Sequence, residues 1–327
     1  MDLALVFMVL MGAAVLAYVV LDGYDLGVAM LMPAATPQQQ SVMVSAIGPF
    51  WDANETWLVL GIGILLVAFP VAHGIILAAL YLPVVAMLVG LMLRGVAFEL
   101  RMKALGWHRE LWNWLFWAGS FLASFCQGVM LGRYVTGFEP GFFYLAFAVL
   151  AGASVCGGYV LLGATWLIAK TEGALQAKAV AWARWGLLWV ALGVALVSVA
   201  TPLVSETVRT KWFEFPRTLA VLPLPVACAA AWLWTWRAVG ALKSGGISEW
   251  RPFLGAVAIF VLSFLGLAYS LFPFVVIDRL TIWQAAAHPS ALKVVLAGTA
   301  VVLPFIIAYT IVAYRIFRGK ARSGLYD

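Results

Sequence analysis

Residues 3–32 read LALVFMVLMGAAVLAYVVLDGYDLGVAMLM. The first nineteen of these residues carry no charge, and Asp22 and Asp25 are then followed by seven more uncharged residues. Because a helix rises about 1.5 Å per residue, such a run can cross a hydrocarbon core about 30 Å thick. It predicts a transmembrane helix with two carboxyl groups near its end. The run is longer than the apolar part of a signal peptide and no basic region precedes it, so we expect it to stay attached.

Uncharged runs of similar length recur along the whole chain. Hydrophobic residues make up 65% of the 327 residues and charged residues 10%, well below the roughly 25% charge of soluble domains. A transmembrane β-barrel is excluded because its strands alternate apolar and polar residues. We therefore predict an all-α, polytopic transmembrane helix bundle that forms a single domain over residues 1–327.

Nine membrane spans are predicted. They cover residues 3–32, 57–71, 74–93, 111–131, 141–169, 185–204, 218–236, 253–277 and 294–314. The second and third spans come from one uncharged stretch in which Pro70, His73 and Gly74 suit a tight turn. A total of eight spans therefore stays open.

The basic residues divide unevenly between the two sides of the predicted bundle. With the N-terminus outside, 14 of the 20 Lys and Arg residues fall on the other side. They are Arg94, Arg101, Lys103, Arg109, Lys170, Lys178, Arg184, Arg237, Lys243, Arg251, Arg315, Arg318, Lys320 and Arg322. The positive-inside rule then predicts a periplasmic N-terminus and a cytoplasmic C-terminus. A basic rim that faces anionic lipid accounts for the net charge of +6 and requires no nucleic-acid partner.

Five acidic residues collect near the predicted cytoplasmic ends of the first three helices. They are Asp22, Asp25, Asp52, Glu55 and Glu99. Asp22 and Asp25 are three positions apart in the sequence, and so are Asp52 and Glu55. Each pair therefore projects from one helical face. Intramembrane carboxyls are costly unless they are paired or hydrated, and they are typical of proton or ion pathways. The alternative is that they are boundary residues, solvated at the headgroups or capping helix ends.

Few residues of the sequence suit a haem or a metal ion. His108 and His288 fall in predicted loops and His73 in a predicted turn, and no two histidines share a helical face as a bis-histidine haem site requires. Cys126, Cys156 and Cys228 lie inside predicted spans without a CxxC pairing and are interpreted as packing residues. The sixteen Trp residues fit interfacial belts. We predict no metal site.

Several motifs, taken in order, resemble those of subunit II of the cytochrome bd quinol oxidases. They are LDGYDLG at 21–27, IGPFWDANETW at 47–57, AFP at 68–70, RGVAFELR at 94–101, LFPFV at 271–275 and LTIW at 280–283. The resemblance spans nearly the whole chain. The length of the chain, 327 residues, is similar to that of the family's shorter branch, which includes cyanide-insensitive oxidases. Two positions depart from the family pattern: Ala53 replaces a frequent Gly, and Gln284 replaces a usual Asp.

The resemblance implies a heterodimer in a bacterial inner membrane. The larger subunit I would hold haems b and d and oxidise quinol, while this chain would hold no haem and no catalytic residue. The complex would reduce dioxygen to water with protons drawn from the cytoplasm. A structural quinone and a small single-helix accessory subunit are compatible with the resemblance.

The resemblance also implies roles for individual residues. Asp52 would be the proton-uptake residue at the subunit boundary, with Glu55 one helical turn further on. Asp22 and Asp25 would either conduct protons or hold helices together, and Glu99 would pair with a basic residue. The supporting residues are Trp51, Asn54, Trp57, Arg94 and Arg101.

Two other classes of function fit the same acidic pattern. A proton-coupled transporter also places carboxyls among apolar helices, although it often shows related halves, and no matching acidic motif recurs in the second half. A purely structural assembly subunit would use the carboxyls only to hold helices together. Neutralising Asp52 separates the two roles, since a scaffold would lose assembly and a conduit would lose turnover.

Overall fold

A computed structural model describes residues 2–215, 217–242 and 248–322. The described chain is helical apart from connecting segments and one β-hairpin, which confirms the all-α bundle. The elements are α1 (Leu3–Leu31), α2 (Pro37–Ile47), α3 (Trp51–Ala68), α4 (Pro70–Ala79), α5 (Tyr81–Lys103), α6 (Trp107–Val135), α7 (Phe142–Lys170), α8 (Gly173–Val204), α9 (Glu206–Phe213), α10 (Arg217–Val221), α11 (Pro223–Ala241), α12 (Arg251–Leu271), β1 (Phe274–Val276), β2 (Leu280–Thr281), α13 (Ile282–Ala285) and α14 (Pro289–Ile316).

Eight helices in the described ranges are long and apolar enough to cross a membrane, namely α1, α3, α5, α6, α7, α8, α12 and α14. Contacts on either side of α11 add a ninth crossing. Trp212 in α9 donates to Ser270 near the end of α12, whereas Glu249, just before α12, accepts from Gln176 near the start of α8. Between residues 213 and 249 the chain therefore passes from one end of the bundle to the other. The 19 residues of α11, about 28 Å of helix, make this passage.

The two ends of the bundle are defined by the chain termini. At the Asp2 end, the Trp283 indole donates to the Asp2 carboxyl at 2.7 Å, and this hydrogen bond lowers the pKa of Asp2. At the Phe317 end, the Lys170 ammonium group donates to the carbonyls of Phe317 and Gly319. Among the described residues, Asp2 and Phe317 therefore lie at opposite ends of the bundle, as an odd number of crossings between them requires.

Several element boundaries differ from those predicted. No tight turn forms at Pro70: the proline begins the ten-residue helix α4, because proline is favoured at the first helical position. The third span consequently begins at Tyr81. The eighth span ends at Leu271, and the following residues form the antiparallel hairpin β1–β2.

Two further differences from the predicted boundaries occur at the Phe317 end of the bundle. Helix α2 was not predicted; it begins with a capping box between Thr36 and Gln39. Helix α8 begins at Gly173, twelve residues before the predicted span, and buries Leu175 and Ala179 in its first turns. Lys243, which contributed to the predicted orientation, lies outside the described residues.

Glycines let two pairs of helices approach backbone to backbone. A Cβ on Gly27 of α1 would lie 1.8 Å from the carbonyl oxygen of Tyr159 in α7, and one on Gly163 would lie 2.4 Å from the Gly27 carbonyl carbon. A Cβ on Gly90 of α5 would lie 2.8 Å from the carbonyl oxygen of Gly119 in α6. Small residues permit such contacts in membranes, where close packing drives helix association. Helices α1, α5, α6 and α7 thereby form a tight inner group.

Replacing Gly27 by Ala is expected to destabilise the protein. The added methyl group would force α1 away from α7, at a cost of about 1–3 kcal/mol for overpacking. The thermal stability of the purified protein in detergent, followed by size-exclusion chromatography after heating, measures the effect. Gly63→Ala is the matched control because a Cβ there meets nothing within 4 Å. Equal losses of stability in both variants would contradict this account of the packing.

Candidate functional site

The two aspartates of α1 lie inside the bundle, toward its Phe317 end. Every residue from Asp22 to Ala29 is buried, and the two carboxyl side chains are 0% and 1% exposed. Helices α3, α6 and α7 pack around α1. Two carboxyls in such surroundings require polar partners or water, because isolated charge is costly in a low-dielectric interior.

A single guanidinium group joins three helices at this site. Arg94 Nη1 of α5 lies 2.6 Å from Asp22 Oδ1, and Arg94 Nη2 lies 2.9 Å from Glu55 Oε2 of α3. The arginine is buried, whereas the Glu55 side chain is 30% exposed. The Trp51 ring lies 5.7 Å from the guanidinium carbon, in cation–π range. Arg94 therefore bridges a fully enclosed carboxyl and a carboxyl near the surface.

Asp25 has neutral partners. Asn54 Nδ2 of α3 donates to Asp25 Oδ2 at 2.8 Å and also lies 2.8 Å from the Tyr24 hydroxyl. The Tyr314 hydroxyl of α14 donates to Asn54 Oδ1 at 3.1 Å and lies 2.6 Å from the Tyr24 hydroxyl. Asn54 thus ties α1, α3 and α14 together beside the arginine clamp.

The charges in this cluster do not balance. Asp22, Asp25 and Glu55 supply three carboxyls against one guanidinium, so full ionisation would leave two negative charges. Asp22 Oδ2, Asp25 Oδ1 and Arg94 Nε are buried and have no hydrogen-bond partner among the described residues. Each of these atoms requires water, a proton or a further hydrogen-bond partner, because buried polar atoms in proteins are otherwise satisfied.

The other two predicted carboxyls lie outside the cluster. Asp52 is exposed at the first turn of α3, one turn before Glu55. Glu99 is exposed on α5. Within the described part of the chain, neither carboxyl makes a hydrogen bond or ion pair. The structure therefore groups Asp22, Asp25 and Glu55, places Asp52 at their outer side, and leaves Glu99 apart.

Two of the supporting residues also sit apart from the carboxyls. Arg101 is buried at the end of α5, where it donates to Asn113 of α6 and to Ser41 of α2. Trp57 is buried and packs in a cluster with Ala14 and Tyr18 of α1. Both residues shape the walls around the site.

Four residues that contribute to the hydrogen bonds around the site were not predicted from the sequence. They are Tyr18, Gln127, Tyr159 and Tyr314, which come from four different helices. Only Tyr18 had a local signal, because it precedes Asp22 by four residues and so shares its helical face. The others reach the site through contacts between residues far apart in sequence.

Comparisons with known proteins show the family and the fold of this chain. Residues 3–317 match the family model described as cytochrome bd terminal oxidase subunit II. The chain is 28% identical to the cytochrome bd ubiquinol oxidase subunit 2 of Bacillus subtilis, over 95% of each chain. It is 27% identical to the cytochrome bd-I ubiquinol oxidase subunit 2 of Escherichia coli K12, over 95% of this chain and 93% of the relative. A bd oxidase structure from Geobacillus thermodenitrificans shares the fold, with a TM-score of 0.78, 17% identity and coverage of 97% and 99% of the two chains.

Removing the guanidinium alone should destabilise the protein more than removing the whole pair. Arg94→Gln removes the cation that contacts Asp22 and Glu55 and should cost about 3–5 kcal/mol, whereas Arg94→Gln combined with Asp22→Asn should recover part of that loss. Thermal unfolding of the purified protein in detergent measures both. The exposed pair of Arg209 and Glu206 supplies the control, since Arg209→Gln should change little. A double variant no more stable than Arg94→Gln would show that the pair does not act as a unit.

Proposed function

The chain belongs to the family of cytochrome bd terminal oxidase subunits II, and we propose that it is the haem-free second subunit that conducts protons toward the site of oxygen reduction. It is a subunit of an oxidoreductase complex and a multi-pass protein of a bacterial inner membrane. The family assignment decides against the transporter alternative. The complex would oxidise quinol and reduce dioxygen to water.

The histidines of this chain do not fit a buried haem. His73 lies in the short helix α4, His108 stacks on Trp107 at the start of α6, and His288 caps α14. All three therefore sit in loops or in the first turns of helices, not in the interior where haem ligands would converge. Haem supplies the electron-transfer and oxygen chemistry when bound. We assign haems b and d to the partner, subunit I.

A graded burial of three carboxyls carries the proposal. Asp52 is exposed, Glu55 is partly exposed, and Asp22 is enclosed. The first two are one helical turn apart on α3, and the last two share the Arg94 guanidinium. The series therefore leads from the surface at the Phe317 end into the bundle.

The chemistry of each group suits a proton route. An ionised carboxylate at Asp52 would take a proton from solvent and pass it to Glu55, since side chains spaced by three on a helix are neighbours. Arg94 keeps its own proton because the guanidinium is not deprotonated in proteins. It would therefore stabilise the receiving carboxylates of Glu55 and Asp22 without exchanging a proton itself. From this cluster the proton would pass to the partner subunit.

We assign the partner to the face that carries Asp52. Of the 28 residues of α14, only Leu292 and Ala313 are buried, so this helix lacks neighbours on most of its surface. Helix α3 beside it exposes Val59 and Leu66. A subunit that covers α14, α3 and α5 would bring its proton-consuming site close to the carboxyls. The small accessory subunit and the structural quinone remain expectations of the family resemblance.

The Phe317 end is assigned to the cytoplasm. Basic residues at this end or flanking it include Arg101, Lys103, Arg109, Lys170, Lys178, Arg315, Arg318, Lys320 and Arg322. The positive-inside rule supports the assignment. Protons would then be taken from the cytoplasm.

Neutralising Asp52 should slow oxygen reduction without loss of the complex. In the purified oxidase, Asp52→Asn should lower quinol-dependent oxygen consumption by about tenfold or more, as expected when a proton donor is removed. The reduced-minus-oxidised haem spectrum of the same preparation reports whether the partner and its haems are retained.

Glu99→Gln is the matched control, because Glu99 is also exposed but stands apart from the cluster. Its turnover should stay near that of the unmodified oxidase. A normal rate in Asp52→Asn would contradict the proton route. Loss of the haem-bearing partner in Asp52→Asn, with no effect on the rate of the remaining complex, would favour a scaffold role instead.

A further inference from the structure

A second polar chain meets the cluster from the side opposite Asp52. Tyr18 lies one helical turn before Asp22 on α1, toward the Asp2 end, and therefore shares its helical face. Gln127 of α6 donates from Nε2 to the Tyr18 hydroxyl at 2.7 Å. The Tyr159 hydroxyl of α7 donates to Gln127 Oε1 at 2.6 Å. The two tyrosines are buried and Gln127 is half-buried.

The orientation of the Gln127 amide gives this chain a direction. Its carbonyl oxygen can only accept and its amino group can only donate. Tyr159 is therefore the donor at one side and Tyr18 the acceptor at the other. Because the Tyr18 oxygen already accepts from Gln127, its own hydrogen remains available for the neighbouring Asp22, whose buried Oδ2 has no hydrogen-bond partner among the described residues. Every donor in the chain then points toward Asp22.

We propose that Tyr18, Gln127 and Tyr159 are positioning residues that hold the Asp22 carboxylate at Oδ2, the oxygen that Arg94 does not contact. The guanidinium fixes Asp22 Oδ1 and the polarised chain fixes Asp22 Oδ2. Hydrogen bonds in such a chain strengthen one another in a low-dielectric interior. The carboxylate is thereby held by a cation on one side and by a hydroxyl on the other.

The same chain ends the proton route. A hydroxyl can receive one proton and release another, but the Gln127 amide nitrogen carries only donors and its oxygen only accepts. A proton that reaches Asp22 would therefore not continue through Gln127 toward the Asp2 end, and it would leave toward the partner subunit. This part of the inference rests on the proposed function, whereas the positioning of Asp22 does not.

Infrared difference spectroscopy of the intact oxidase tests the positioning. The carboxylate stretching band of Asp22, labelled through isotopic aspartate, is assigned by its loss in Asp22→Asn or its displacement in Asp22→Glu. Tyr18→Phe removes the donor to Asp22 and should shift this band most. Gln127→Met should shift it less, and Tyr159→Phe least, because each lies one hydrogen bond further away. Turnover should fall severalfold in Tyr18→Phe with the haem spectrum unchanged.

Tyr134→Phe is the matched control, since Tyr134 is a partly buried tyrosine of α6 that donates to the Val275 carbonyl at 2.6 Å, outside this chain. An Asp22 band that shifts no more in Tyr18→Phe than in Tyr134→Phe would overturn the inference. Equal shifts in the variants at 18, 127 and 159 would indicate a general packing effect and would also overturn it. The proposed function is tested separately: a normal rate in Asp52→Asn with a shifted Asp22 band in Tyr18→Phe would reject the proton route and leave the positioning intact.

Discussion

The guanidinium of Arg94 is the constraint on which the centre of this molecule depends. It is buried, and it contacts Asp22 at 2.6 Å and Glu55 at 2.9 Å. Bringing these charges out of water is expensive, and their attraction repays the expense only when the geometry is good and the remaining polar atoms find partners. Asn54 meets part of this requirement by donating to Asp25, and the proposed hydrogen bond from Tyr18 would meet the part at Asp22. The contacts of Arg94 with Asp22 and Glu55 thereby fix the positions of α1, α3 and α5 relative to one another.

Close packing makes the clamp possible. The backbone approach of Gly90 to Gly119 brings α5 against α6 one turn from Arg94, and the approach of Gly27 to Gly163 brings α1 against α7 beside Asp22 and Asp25. Apolar burial contributes little to helix association in lipid, so contacts between small residues and polar bonds must supply it. The polar cluster and the glycine contacts thus support each other. By contrast, almost every residue of α14 is at least partly exposed in the isolated chain. Such exposure is expected of a helix that a second subunit covers.

The sequence was sufficient for the class of fold and for the residues that carry charge. Runs of about twenty apolar residues predict helices in a membrane directly, and the spacing of Asp22 from Asp25 and of Asp52 from Glu55 indicated which faces they share. It did not separate Glu99, which is exposed, from Asp22, which is enclosed, because burial depends on how distant helices pack. Nor could it find Gln127, whose partners lie 109 and 32 residues away. The helix α4 was missed because a proline next to a histidine and a glycine suits a turn as well as a helix start.

The central claim is that carboxyls of this chain admit protons from the Phe317 end to a haem-bearing partner. A high-resolution density map of the purified oxidase tests it most directly. The partner should cover α14 beside Asp52, ordered waters should connect Asp52 with Glu55 and with the free carboxyl oxygen of Asp25, and the haems should lie in the partner. A partner on another face, with Asp52 facing lipid and no water between Asp52 and Glu55, would contradict it.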